Sequence, residues 1–319
     1  RRQGRTVTRV AAVSLFQVLF WFSAVKGNDT GGIIPWKPGV DEVALEENLR
    51  ILQRVQQQSG ARILLALKAF SMFSMAPLID RYLAGTCASG LHEARLGHEE
   101  FAGEVHTFCA AYTEQDLRAV LEISDHVVFN SINQLEQFRT LIDAARAARP
   151  GLAIGLRVNP EHSEGAVPLY DPCAPGSRLG ITRAEFREVA LDGVSGLHFH
   201  TLCEQDLPPL ARTVKAFGKR FGEFIPRMKW INFGGGHHIT RPGYDMAALE
   251  KCIRRARNDW GVTVYLEPGE ACALNAGYLL TRVLDVVQNG DTTVAILDAS
   301  AACHTPDVIE MPYRPPLLG

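Results

Sequence analysis

From Val40 onward the chain alternates between two hydrophobic rhythms. Short unbroken apolar runs, bounded by Gly, Pro, Ser or Asn, read as strands buried on both faces. Longer stretches with apolar residues every three or four positions read as amphipathic helices. Residues 61–70 (ARILLALKAF) set the pattern: a run from Ile63 to Leu67, then Lys68, then a stop. The helix before it, 41–58, carries Leu45, Leu49 and Leu52 on one stripe and Gly60 as its C-cap. Further strands are predicted at 86–88, 104–108, 126–130, 153–159, 196–200, 229–233 and 262–267. Helices are expected between them over 77–83, 89–96, 113–123, 132–148 and 245–259, with one ending near Gly222. Ser131 with Gln134 forms a capping box for the long helix 132–148, and Thr182 with Glu185 forms one for a short helix.

Eight short buried strands alternating with helices predict an α/β fold, a (β/α)8 TIM-type barrel over 40–277. A doubly wound open sheet gives similar alternation, but the strand count favours closure. Residues 278–287 and 292–298 alternate in the antiparallel manner, so 278–319 reads as the start of an incomplete β-rich C-terminal domain. Residues 1–39 have another texture. Positions 1–9 are basic and 10–25 almost wholly apolar, like the n- and h-regions of a signal peptide. The apolar run is short for a membrane span of roughly 20 residues. Residues 27–39 are turn-rich and read as a boundary, and 1–39 as a segment foreign to the barrel, non-native or signal-like.

Bulk composition narrows the classes. The 319 residues are 46% hydrophobic and 21% charged, enough for a large core. A net charge of −2 gives no bulk attraction to nucleic acid. Seven cysteines without a CxxC pair point to a reducing, cytoplasmic setting.

In a barrel the chemistry sits at the C-terminal strand ends. Those ends read Lys68, Ser89, His106, Asn130, Arg157, His200, Gly234-Gly235-Gly236 and Glu267. Lys68 is either a solvated strand end or a lysine in a dry mouth, nucleophilic toward an aldehyde. The triple glycine is either a flexible turn or a cradle whose amides face an anion, with Gly269 adding another. Alternation is read as placing His198 and His200 on opposite faces, His198 in the core and His200 at the tip, able to stack on a planar ring. No metal is expected, although His106, His237, His238 and His304 are further candidates. Glu267 needs a cationic partner, either Arg157 or a protonated ring nitrogen. A lysine for an aldehyde, amides for a phosphate, a stacking imidazole and a carboxylate for a pyridinium together suit pyridoxal 5'-phosphate (PLP).

The motifs ALKAF, ASGLHEARLG, EVHTF, VVFNS, LRVNP, SRLGI, GLHFHTLCE, INFGGGHH, LEPGEA and LDASAACHTPDVIEMPYRPP resemble the carboxynorspermidine decarboxylases. That family is an alanine-racemase-like, fold-type III group of PLP enzymes, and the resemblance runs from Asp41 to Gly319. It implies a lyase of polyamine biosynthesis that decarboxylates carboxynorspermidine or carboxyspermidine. Lys68 would carry the cofactor and His200 would stack on its ring. Cys203, Gly234, Gly235, Gly236 and Gly269 would hold the phosphate, with Cys203 where relatives place a serine, and Glu267 would meet the ring nitrogen. Glu93 and Arg157 would support these residues from behind. Glu270 stands where diaminopimelate and ornithine decarboxylases carry an arginine, which suits a cationic polyamine tail. His106, Asn130 and Asp307 are further substrate candidates. A homodimer is implied for the family, and so is a Gly-Pro-x-Cys-type segment with an acidic cysteine. That segment is absent before Gly319, so the chain as given is expected to bind PLP poorly and not to turn over. The alternatives are a diaminopimelate- or ornithine-type decarboxylase on the same scaffold and a non-catalytic PLP-binding barrel. A secreted or anchored protein using residues 10–25 is a third class.

Overall fold

A computed structural model describes residues 37–165 and 168–310, with Arg314 and Pro316. After an outer strand, β1 (Lys37–Val40), come β2 (Arg62–Ala66), β3 (Gly85–Ala88), β4 (Glu104–Cys109), β5 (His126–Phe129), β6 (Ala153–Arg157), β7 (Gly196–His198), β8 (Trp230–Asn232) and β9 (Thr263–Leu266). Strands β2 to β9 pair in parallel in chain order and close into a barrel. Closure is made by β2 on β9, with Arg62 opposite Tyr265 and Ile63 opposite Leu266. Helices on the outside cover the barrel. The first, Glu42–Ser59, buries Leu45, Leu49, Leu52 and Val55. The Asp41 carboxylate accepts from the amides of Val43 and Ala44 at its start, and Gly60 ends it at φ +71°.

Inside the barrel Leu64, Val128, Trp230 and Tyr265 form a separate apolar cluster. The Trp230 indole fits because its neighbours on β6 and β7 lack side chains. A Cβ on Gly196 would lie 2.0 Å from the indole, and one on Gly155 2.4 Å. Below the indole, toward the N-terminal end, the His106 and His126 rings stack at 3.8 Å. His106 Nε2 lies 3.1 Å from the Glu104 carboxylate, whose other oxygen meets Arg62 at 2.8 Å.

Several sequence expectations change. Helix 132–148 is two helices, Ile132–Gln137 and Arg139–Ala148, broken at Phe138 (φ −102°, ψ 15°). The Thr182/Glu185 box opens a turn instead of a helix, followed by a 3-10 segment, Glu188–Leu191. The strand expected at 278–287 is two, β10 (Gly277–Leu280) and β11 (Val283–Asn289). β11 forms a hairpin with β12 (Thr292–Leu297), while β10 pairs with β1, Lys37 opposite Leu280 and Val40 opposite Gly277. Residues 37–39, read as part of a turn-rich boundary, therefore belong to a strand that joins the β-rich part. The hairpin leaves Leu284 and Val286 exposed. No helix among the described residues is long and apolar enough to cross a membrane. The apolar stretch 10–25 lies outside the described residues.

Candidate active site

The C-terminal strand ends line a cavity of about 550 Å3. Lys68, Arg157, His200, Cys203, Gly236, Glu267, Gly269 and Glu270 all reach it. Each owes its position to a strand end. Lys68 lies in the turn after β2, where Leu67 donates to the Cys87 carbonyl and Ala69 to that of Ala66. Lys68 is exposed to the open cavity. Glu93, whose carboxyl burial pushes upward, accepts from the Ser89 amide; Glu93 is not a cavity-wall residue.

His198 and His200 are two residues apart, and positions two apart on a strand share a face. The opposite-face expectation was an error of parity. His198 is buried inside the barrel, with Nε2 3.4 Å from Glu267 Oε2, and His200 follows at the rim. Phe199 points outward, against Phe217 and Phe233. Burial pushes the His200 imidazole well below its ordinary pKa, and nearby Lys68 and Arg157 add to this. The ring is therefore neutral. Gly235 N–H donates to its Nδ1 at 3.0 Å, which leaves the proton on Nε2.

The glycine turn is close-packed. A Cβ on Gly235 would lie 2.0 Å from the Glu267 carbonyl oxygen. One on Gly236, at φ +84°, would lie 1.9 Å from that of Leu202. Gly269 meets Ala69 in the same way, at 2.5 Å. Only bare backbone fits here, and that backbone forms part of the cavity wall.

Glu267 is mostly buried and accepts from the Asn232 amide nitrogen at 2.7 Å. Burial raises its carboxyl, but His198 and the Asn232 amide outweigh this and hold it at about 2. Arg157 makes no ion pair with it among the described residues. Its guanidinium donates to the His200 carbonyl at 3.0 Å and lies over the Phe108 ring at 4.6 Å. The carboxylate is thus ionised with no arginine or lysine bonded to it. Glu270 is paired with His238 at 2.8 Å.

Two of the expected substrate residues, His106 and Asn130, lie elsewhere. His106 is buried in the barrel base, because β4 runs three residues beyond it to Cys109. Asn130 follows β5 and serves the long loop, donating to the Arg178 carbonyl and accepting from Gly180 N–H. Asp307 opens the short helix Asp307–Glu310, next to Pro306 on the cavity wall. The long loop contributes Tyr170, Pro172 and Leu179 to the wall. It is pinned to the helix Leu207–Phe221 by the pairs Glu161–Arg220 and Glu164–Arg212. The sequence reading missed Asn232 and the His238–Glu270 pair. The signal for Asn232 was a lone polar residue in the run KWINF, two before the glycines.

No metal was expected, yet Glu104, His106 and His126 place ligand-type atoms within 4.8 Å of one another at the base. Arg62 already occupies that carboxylate, and the two rings lie within 15° of parallel. Stacked rings aim their lone pairs side by side, not at one point.

Comparison with known proteins follows the same lines. No protein-family model matches the chain. It is 40% identical to a carboxynorspermidine/carboxyspermidine decarboxylase of Campylobacter jejuni, over 88% of this chain and 71% of that relative. It is 39% identical to a carboxyaminopropylagmatine decarboxylase of Synechocystis, with the same coverage of both. The crystal structure of carboxynorspermidine decarboxylase from Campylobacter jejuni, complexed with norspermidine, superposes with a TM-score of 0.79 at 38% identity. That match covers 88% of this chain and 72% of the other. With the barrel, the strand-end cavity and relatives at this level of identity in hand, the chain belongs to the carboxynorspermidine decarboxylase family of fold-type III, PLP-dependent enzymes.

Proposed function

We propose that the protein is a PLP-dependent carboxy-lyase that removes CO2 from carboxynorspermidine or carboxyspermidine. The observation that carries this reading is one cavity lined by Lys68, Glu267 and the glycine turn, the last with no room for side chains. The donor set fits PLP. Lys68 offers the only lysine amine among the wall residues, for the aldehyde. Gly235, Gly236 and Gly269, with Cys203, form a cradle for the phosphate, and Glu267 keeps a negative charge for the ring nitrogen.

When bound, PLP supplies an electron sink for the pair left at Cα when CO2 departs. The chain's own residues prepare for this. Glu267 would keep a proton on the ring nitrogen, because a carboxylate held at about 2 stays charged at neutral pH. His200 presents a neutral ring, so it adds no positive charge beside the pyridinium. The Gly235 amide fixes the orientation of that ring. Glu270, held by His238, gives the wall a negative group suited to a protonated amine of the substrate.

The test is CO2 release from carboxynorspermidine by the PLP-loaded full-length protein, with Lys68→Ala as control. Carboxyspermidine, carboxyaminopropylagmatine, diaminopimelate and ornithine serve as competing substrates. Release that persists in Lys68→Ala removes the lysine from the mechanism. Preference for diaminopimelate or ornithine overturns the substrate assignment, and PLP binding without release from any of them overturns the activity.

A further inference from the structure

We propose that Asn232 is a positioning residue that fixes the Glu267 carboxylate and couples it to the glycine turn. This rests on the PLP reading above. Both ends of the Asn232 side chain are used. Its amide nitrogen donates to Glu267 Oε1 at 2.7 Å, and its carbonyl oxygen accepts from Gly234 N–H at 2.8 Å. The Glu267 amide donates in turn to the Gly234 carbonyl at 2.8 Å. A closed circuit of hydrogen bonds joins the end of β8, the glycine turn and the end of β9. Asn232 is 1% exposed, so water does not compete for either end.

The second Glu267 oxygen faces His198 Nε2 at 3.4 Å, a contact outside hydrogen-bond geometry. Among the described residues, the Asn232 bond is therefore what orients the carboxylate. Gly234 cannot hold itself in place with a side chain, since a Cβ there would lie 2.6 Å from the Phe199 carbonyl oxygen. Its amide is held by the Asn232 oxygen and its carbonyl by the Glu267 amide. The residue that pairs with the ring nitrogen and the turn that faces the phosphate thus share one buried amide.

The circuit explains why an amide stands here and not an acid. It needs one donor, one acceptor and no charge. Aspartate would still accept from Gly234 but would put a second carboxylate about 2.7 Å from the first. Two carboxylates that close share a proton. The other groups facing Glu267 are His198 on β7, Arg157 on β6, His106 deeper in the barrel, Cys87 on β3 and Lys68 after β2. None of them is altered by a change at 232.

The test uses full-length Asn232→Asp, Asn232→Ala and the double variant Asn232→Asp/Glu267→Gln. The first readout needs no cofactor: urea midpoints and side-chain carboxyl NMR shifts from pH 8 to pH 5. In Asn232→Asp the folded state gains a carboxyl pKa raised above its unfolded value. Its stability is then lowest at pH 8 and recovers as the pH falls. The parent lacks this recovery, and the double variant abolishes it. The second readout is PLP affinity by absorbance titration. Asn232→Ala binds at least about tenfold more weakly, the loss of one hydrogen bond to a charged group. A flat pH response in Asn232→Asp, or PLP affinity in Asn232→Ala within twofold of the parent, overturns the proposal. If the parent and Lys68→Ala give the same PLP spectrum, the PLP reading fails instead, and the first readout still decides whether Asn232 and Glu267 are paired.

Discussion

The barrel holds a carboxylate beside histidines at each of its ends, and the two are used in opposite ways. At the N-terminal base, Glu104 meets the Arg62 guanidinium and the His106 ring. At the C-terminal mouth, Glu267 has one amide from Asn232 and His198 nearby, and no arginine or lysine bonded. Burial raises both carboxyls, and neighbouring donors hold both at about 2. A depressed pKa therefore does not separate a site from a structural plug. What separates them is whether the charge is already matched within the protein. Glu104 is matched, whereas Glu267 is ionised, partly reachable and still lacks a strong cation.

That contrast can be broken by experiment. The largest effect is expected from Lys68→Ala, which should lower kcat by about three orders of magnitude or more while leaving the melting temperature near the parent's, measured by CO2 release and calorimetry. Glu267→Gln comes next. It should lower kcat/KM about a hundredfold and also cost some stability at pH 7, because a carboxyl held at about 2 by its neighbours stabilises the fold when ionised. Glu104→Gln should cost stability while sparing the chemistry, with turnover per folded molecule close to the parent's and a loss of about 1–2 kcal/mol in urea unfolding. Its pH profile sharpens the point. A carboxyl lowered from 4.5 to about 2 contributes stability that is full above the unfolded value and fades as the pH falls from 4.5 toward 2. Glu104→Gln should flatten that part of the acid-unfolding curve. The smallest effect belongs to Asn130→Ala, which unties the long loop at Arg178 and Gly180. It should raise KM several-fold with kcat little changed. A Glu104→Gln variant that lost turnover while staying folded would erase the distinction between the two ends.

Much of this was legible in the chain. The alternation of apolar run and amphipathic stretch gave the barrel, because parallel strands covered on both faces leave a pattern of period and length. Lys68, His200 and Glu267 stood at strand ends, and strand ends face the mouth. The misses have a common cause. His106 was placed one layer too high because it was counted as a strand end although it lies in the middle of the strand, which continues to Cys109. Phe138 breaks a helix whose apolar periodicity passes through the break. Lys37–Val40 is a strand only because β10, more than two hundred residues later, supplies its partner. Asn232 looked like an isolated polar residue because its acidic partner, Glu267, comes from the end of the next strand, 35 residues on.

The hollow left by Gly155 and Gly196 for the Trp230 indole has a consequence for how this barrel can change over time. The three positions form a single unit of volume spread over three strands. Adding a methyl at either glycine strikes the indole, and shrinking the indole alone opens a void. A lineage leaving this arrangement must therefore pass through a crowded or a vacant intermediate, and the waist of the barrel should drift far more slowly than either of its ends.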